Sequence, residues 1–336
     1  MGAGAGLLTG VTLLSACTDA SSKSGSEGGI DKVRFVTTLG TQGRDSYAFV
    51  ADAKGYFAEA GVEVDIQPGK AGDYNHQMLK SGQAQFTVVD ASGALVRYGT
   101  GADTGFQIVG AIHQSTLLSV VSLEGSGINS PRDLEGRILA TVKGAAPEVL
   151  FPAYARLAGI DRSKVTWQYG GAEQLNAYLA SKRADGIGIF LVGKPGVAAA
   201  AKEPVSHLGY SDYMRDLFGG VVVTQRETIG RNPDLVRRFT TALLKGLDYA
   251  VRNPEEAGQI LAQRVPGQKA NLAAAELQLM RPYVVPASGA PVGAVDETRV
   301  AKSVALLQSV GLVPPGANPD LPRQLVNFDL VPSGIR

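Results

Sequence analysis

The chain has little of what metal sites and disulfides need: one cysteine and three histidines in 336 residues. A single cysteine excludes an intrachain disulfide and any cysteine-built zinc knuckle. His76, His113 and His207 are far apart in sequence and show no metal-ligand spacing, so they are read as neutral core or surface histidines and no metal is assigned. An excess of one charge is missing too. With 32 basic and 31 acidic residues the net charge is +1, which argues against a nucleic-acid groove. No apolar run approaches the ~20 residues of a transmembrane helix. There is no Gly-x-Ser-x-Gly elbow and no His-Glu-x-x-His. The stretch from Gly188 to Lys194 formally matches most of a P-loop. Pro195, however, replaces the hydroxyl residue that would hold magnesium, and the intervening residues are apolar, as in a strand.

The position of the one cysteine is informative. Cys17 closes Leu14-Ser15-Ala16-Cys17 behind a short apolar segment, the place where bacterial lipoprotein processing attaches diacylglycerol and cleaves. No Lys or Arg precedes Leu7, so the basic part of such a leader is missing. Residues 1–17 are therefore read as a lipoprotein signal with Cys17 as the lipidation site, and attached acyl chains would hold the protein at the membrane surface. Thr18 to Gly29 is a Ser/Gly-rich stretch with almost no apolar side chains, so 18–30 is expected to be a flexible tether with a reach of about 20 Å.

Beyond the tether, short strands alternate with helices, the pattern of open α/β sheets. Val33–Val36 is the first strand, Asp45–Ala60 one helix stopped by Gly61, and Val62–Ile66 a half-buried strand. A helix at Asp73–Lys80, a strand at Gln85–Val89, a helix from Ser92 and a strand at Gln107–Ile112 follow. Ser130-Pro131-Arg132-Asp133 then opens a short helix with a capping serine, a first-turn proline and an acid. Further strands are read at Arg137–Val142, Val165–Tyr169, Ile187–Leu191 and Gly219–Val223, and only helices come after the last. Two of those helices open alike, with Asn232-Pro233-Asp234 and Asn253-Pro254-Glu255, each offering a capping Asn.

The order of these segments resembles the extracytoplasmic solute-binding proteins of ABC importers that handle alkanesulfonates, taurine, nitrate and the pyrimidine precursor of thiamine. The resemblance is carried by Ala51 to Phe57 with Gly61 to Val64, Ser81 to Phe86, Ile128 to Arg137, and Asn232 to Phe239 running into Asn253 to Ala257, in the family's order. It implies an α/β protein of the periplasmic-binding type II fold, two α/β lobes around a ligand cleft. The first lobe is expected at 31–118 and 219–336, the inserted second at 119–218, with crossings near Leu117–Leu123 and Tyr210–Val222 and a helix between Asp296 and Gly311. It also implies a monomeric receptor with no cofactor that works with an ABC permease. Eukaryotic thiamine-pyrimidine synthases resemble this fold but need a cysteine motif in the body, and Cys17 lies in the leader. No catalytic residue is named, although an enzyme of that metabolism and a ligand-sensing subunit of a signalling system are the alternatives.

In open α/β sheets ligands bind outside the carboxyl ends of strands, beside free helix starts. That rule selects the loops Gly40–Tyr47, Lys70–Asn75, Asp90–Ser92 and His113–Ser115 in the first lobe. In the second it selects Lys143–Glu148, Trp167–Gly171 and Asp185–Phe190, with Tyr210–Tyr213 near the return crossing. The ligand-binding candidates are Tyr47, Asp90, Ser92, Gln114, Lys143, Gly144, Glu148, Trp167 and Tyr210. Each has a plainer role available: Asp90 and Ser92 can cap a helix, Trp167 can be core, Tyr47 can pack inward, Glu148 can serve a helix dipole and Lys143 can be a solvated charge. A carboxylate at Glu148 disfavours a sulfonate and suits an aminopyrimidine, with Tyr47, Trp167, Tyr169 and Tyr210 as aromatic faces.

Overall fold

The computed structural model describes residues 1–2, 29–70, 72–285 and 289–332. Cys17 and nearly all of the tether lie outside the described residues. The strands are β1 Asp31–Val36, β2 Leu39–Gly40, β3 Val62–Gln67, β4 Gly69–Lys70, β5 Phe86–Asp90 and β6 Phe106–Ala111. They continue with β7 Leu118–Leu123, β8 Ile138–Thr141, β9 Thr166–Tyr169, β10 Gly186–Phe190, β11 Val205–Gly209 and β12 Gly220–Gln225. Two five-stranded sheets carry the molecule, one ordered β3-β1-β5-β12-β6 and the other β11-β7-β10-β8-β9. The two orders are the same pattern. In each sheet the parallel strands lie side by side, and one antiparallel strand, supplied by chain that has just passed between the sheets, is inserted before the last strand. This is an α/β protein of the periplasmic-binding type II architecture, two sheet-and-helix lobes around a cleft.

The passages between the sheets run over residues 112–117 and 210–219. The first falls earlier than the sequence suggests, because Leu118–Leu123, read there as the crossing, is fully buried β7. β11 was not anticipated either; its short alternating run, Val205-Ser206-His207-Leu208-Gly209, pairs with β7. The expected single helix over 45–60 is two, Ser46–Ala53 and Tyr56–Glu59, because Gly55 adopts a left-handed conformation at φ 78°. The two Asn-Pro openings also differ. The Asn232 side chain accepts from the Leu235 N–H at 2.9 Å, whereas the Asn253 amide donates to the Tyr249 carbonyl at 3.0 Å and caps nothing. Helix Glu297–Ser309 fits the expected tail helix, with the Asp296 side chain as its cap.

The core of the first lobe is aromatic. Phe239, on helix Pro233–Arg252, stacks on Phe86 of β5 at 3.9 Å and on Phe57 at 5.5 Å, and meets Phe35 of β1 at 5.8 Å. Burying each such ring stabilises the fold by roughly 2–3 kcal/mol. That helix lies close on Ser46–Ala53, and a Cβ on Gly246 would come within 2.4 Å of the Tyr47 carbonyl oxygen. Among the described residues no helix is long and apolar enough to cross a membrane.

Candidate ligand-binding site

The carboxyl ends of β1, β5 and β6 bring three loops of the first lobe together. Asn75, fully buried, ties the ends of β1 and β5 to Lys70: its Nδ2 donates to the carbonyls of Thr37, Thr38 and Val88, and its Oδ1 accepts from the Lys70 N–H. The turn Gly43–Asp45 follows, pressed against helix Ala270–Val284 so closely that a Cβ on Gly43 would sit 2.4 Å from Ala273 Cα. From that helix Glu276 accepts the Arg44 backbone N–H at 3.0 Å.

The loops carry buried polar atoms that have no hydrogen-bond partner among the described residues: Arg44 Nε, Asp45 Oδ1, Tyr47 Oη, Asp90 Oδ2 and His113 Nε2. Five such atoms at one end of one sheet are unusual, since buried polar groups are nearly always paired. Asp45 is 1% exposed; its Oδ2 accepts from the Gln42 N–H at 3.0 Å and lies 3.9 Å from the Arg44 guanidinium. Burial raises its pKa against the pull of Arg44, and burial likewise raises those of Asp90 and Tyr47. Burial raises Glu276 as well, to about 7. His113 Nδ1 accepts from the Gly220 N–H at 2.9 Å, which leaves Nε2 to carry the proton. Burial, helped by Arg44, lowers its pKa to about 3, so the ring is neutral. Asp90 and Gly220 are partners across β5 and β12, which sets Asp90 beside His113.

Of the sequence candidates in this lobe, Tyr47 is buried with its hydroxyl unpaired. Asp90 caps helix Ala91–Gly99 through Oδ1, which accepts from the Ser92 N–H and hydroxyl, and its other oxygen is unpaired. Gln114 is engaged elsewhere. Its Nε2 donates to the Ala294 carbonyl at 2.9 Å, and its Oε1 accepts from Arg299 at 3.2 Å.

In the second lobe the structure brings Lys143, Gly144 and Glu148 together with Tyr169. Glu148 accepts from the Gly144 N–H at 2.6 Å and from the Tyr169 hydroxyl at 2.5 Å, and Lys143 Nζ lies 5.9 Å from the centre of the Tyr169 ring. Gly144 reaches this arrangement at φ 75°. Trp167 stands edge-on to Phe151 at 5.2 Å, a packing contact. Tyr210 is fully buried, stacked on Tyr154 at 4.1 Å, and its hydroxyl donates to the Pro147 carbonyl at 2.8 Å. Its ring therefore supports the turn that carries Glu148. Arg44, Asp45, His113 and Glu276 were not among the sequence candidates. The first three lie in selected loops, Gly40–Tyr47 and His113–Ser115, and the signal that could have found Arg44 and Asp45 is an Arg-Asp pair directly ahead of a helix start.

Two sheet-and-helix lobes, with unpaired buried polar atoms at the strand ends of the first, define the fold class. Within it, residues 46–257 match the family described as "NMT1/THI5 like", more than half of the chain, and the protein belongs to that family. The chain is 26% identical over 220 residues to the riboflavin-binding protein RibY of Chloroflexus aurantiacus, covering 65% of this chain and 62% of that protein. It is 26% identical over 218 residues to a formylaminopyrimidine-binding protein of Halalkalibacterium halodurans, covering 64% of this chain and 65% of that one. The chain thus spans less than two thirds of the length of either relative. Among solved structures, the periplasmic aliphatic sulphonate binding protein SsuA of Escherichia coli superposes with a TM-score of 0.68 at 16% identity, covering 88% of this chain and 92% of that one.

Proposed function

We propose that the protein is the extracytoplasmic solute-binding receptor of an ABC importer, held at the membrane by lipid on Cys17. Its ligand is a flat, donor-bearing nitrogen heterocycle of the aminopyrimidine kind. Capture is by closure of two lobes, residues 31–118 with 219–336 and residues 119–218, and the closed form docks on a permease.

The observation that supports this ligand class is the mixture of unpaired atoms in the first lobe. Asp45 Oδ1 and Asp90 Oδ2 are acceptors, while Arg44 Nε, His113 Nε2 and Tyr47 Oη can donate. An aminopyrimidine presents an amine donor and ring-nitrogen acceptors on one edge and satisfies both kinds. A sulfonate presents acceptors alone and would leave one oxygen of each carboxylate, Asp45 Oδ1 and Asp90 Oδ2, buried and unpaired, at a cost of about 1–3 kcal/mol for each group. The relatives named for riboflavin and formylaminopyrimidine agree with a heterocycle. Glu148, with Tyr169 across from it, supplies the second lobe's acceptor and aromatic face.

Calorimetry on one preparation tests the ligand class. Hydroxymethyl-aminopyrimidine or formylaminopyrimidine is expected to bind in the micromolar range, about −8 kcal/mol, and taurine or a longer alkanesulfonate more weakly. Tighter sulfonate binding overturns the choice. Asp45→Asn, which turns an acceptor edge into a donor, and Glu148→Gln are each expected to weaken pyrimidine binding by about 1.5–3 kcal/mol, the scale of a hydrogen bond to a charged group. Unchanged affinity in both variants would remove these residues from the site.

Anchoring has its own test. Cys17→Ser is expected to abolish lipid attachment and leave the protein uncleaved or shed into the medium. Wild-type protein partitioning into the aqueous phase of a detergent separation would refute the anchor.

A further inference from the structure

Both passages between the lobes are gripped by one side chain from helix Glu297–Ser309. Arg299, in the first turn of helix Glu297–Ser309, extends its guanidinium between them. Its Nη1 donates to Gln114 Oε1 at 3.2 Å, and its Nη2 donates both to the Gln114 carbonyl, in the first passage, and to the Arg215 carbonyl, in the second, at 3.3 Å. The guanidinium carbon lies 4.1 Å from the centre of the Phe218 ring. Asp216 stands 4.0 Å from Arg299 and 3.7 Å from Lys302, and the Ser303 hydroxyl donates to the Asp216 carbonyl at 3.0 Å. The passages also bond to each other, Thr116 N–H to the Leu217 carbonyl at 2.8 Å and Gly219 N–H to the His113 carbonyl at 3.2 Å.

These contacts have a mechanical meaning. A hinge is a few residues that absorb backbone rotation when domains move. Here the carbonyls at residues 114 and 215 share one donor nitrogen, so relative rotation of the two strands must stretch or break at least one of those bonds. The planar fork of arginine is suited to two acceptors at once, and lysine offers only a point donor. The first lobe holds the fork in place, because helix Glu297–Ser309 packs against helix Ala91–Gly99. Its far end meets the second lobe, where Arg156 donates to the Ser309 carbonyl at 3.0 Å.

We propose that Arg299 is the positioning residue that sets the angle between the lobes, and so tunes ligand affinity without touching ligand. The inference rests on the two-lobe receptor reading, but its test needs no ligand, so the two can fail separately. Apparent affinity scales with the fraction of molecules in the binding-competent form, and a tenfold change in that fraction changes affinity about tenfold.

The test measures the distance between the lobes in the full chain. On a Cys17→Ser background, spin labels at the exposed positions Ser81 and Glu203, each changed to cysteine, report this distance by double electron–electron resonance. The protein with Arg299 intact is expected to give one narrow distribution. Arg299→Met is expected to broaden it about twofold or shift its centre, as the tether linking the two hinge strands is lost. Arg299→Lys should fall between the two. Gln114→Ala, which removes the side-chain acceptor and leaves both carbonyls, should change the distribution in the same direction by less. If Arg299→Met does not fold, Gln114→Ala decides. An unchanged distribution in the folded variants, even with a lowered melting temperature, overturns the proposal and leaves Arg299 a stabilising contact only.

Discussion

Gly246→Val is expected to destabilise the protein by roughly 2–3 kcal/mol, the cost of forcing extra atoms into a closed contact. In the middle of an exposed helix the opposite sign holds, since glycine is about 0.8–1 kcal/mol worse than alanine there. Gly246 reverses the sign because helix Pro233–Arg252 meets helix Ser46–Ala53 at that point. A Cβ there would lie 2.4 Å from the Tyr47 carbonyl oxygen, 2.7 Å from Ala51 Cβ and 2.9 Å from Ala51 N, and two of those three atoms are backbone. The helices must separate, and Tyr47 must move with its helix, so ligand binding should weaken as well. Gly230, in helix Arg226–Arg231 with nothing within 4 Å of its added Cβ, is the control. Gly230→Ala should be neutral or stabilising. Equal urea midpoints for Gly246→Val and wild type would show that the two helices are not held at this distance.

The second large effect is in pH dependence. Glu276 titrates at about 7 in the folded protein against 4.5 for the free group, so between those values the native state binds more protons than the unfolded chain. Stability from this group therefore falls as pH rises through the window, by about 1.4 kcal/mol per unit, and reaches a deficit of roughly 3 kcal/mol above pH 7. His113 acts in the other sense. Its pKa is lowered from 6.5 to about 3, so the unfolded chain binds the extra proton, and stability is lost as pH falls through that range. Between 4.5 and 6.5 the two slopes oppose each other. Glu276→Gln keeps an acceptor for the Arg44 N–H and removes one slope. The variant should gain stability over wild type steadily from pH 4.5 to 7, ending roughly 3 kcal/mol ahead at pH 7.5. Denaturant midpoints at pH 5 and 7.5 measure this. A variant-to-wild-type difference that is the same at both values would mean that Glu276 is ionised throughout.

The lobes were legible in the sequence because their strands and helices are separated by real punctuation. Gly61, Gly136 and Gly159 end elements in left-handed conformations, and Pro131 and Pro233 open them. The first passage was misplaced because a buried strand and a buried linker of six apolar or small residues have the same composition, so β7 could be recognised only from its partners β10 and β11. The site divides in the same way. The Lys143–Glu148 loop was visible as small residues ahead of an acid at a helix start, and its members do meet. Asp45 was hidden because an acid at that position also looks like a helix cap. Glu276 carries no local signal: it reaches the Gly43–Asp45 turn from a helix more than two hundred residues away, placed by packing alone.

The shared order of the two sheets also fixes the sequence in which a growing chain can complete them. Every strand of the β11-β7-β10-β8-β9 sheet lies within residues 118–209, so that half has all its backbone partners once Gly209 has been synthesised. The other half waits. β5 stays unpaired on one side until β12 supplies residues 220–224 to meet 86–90, and Phe86 lacks its stacking partner until Phe239 follows. Contacts of such long sequence separation are slow to form and leave strand edges open meanwhile. The half that begins first on the ribosome is therefore the one that must finish last.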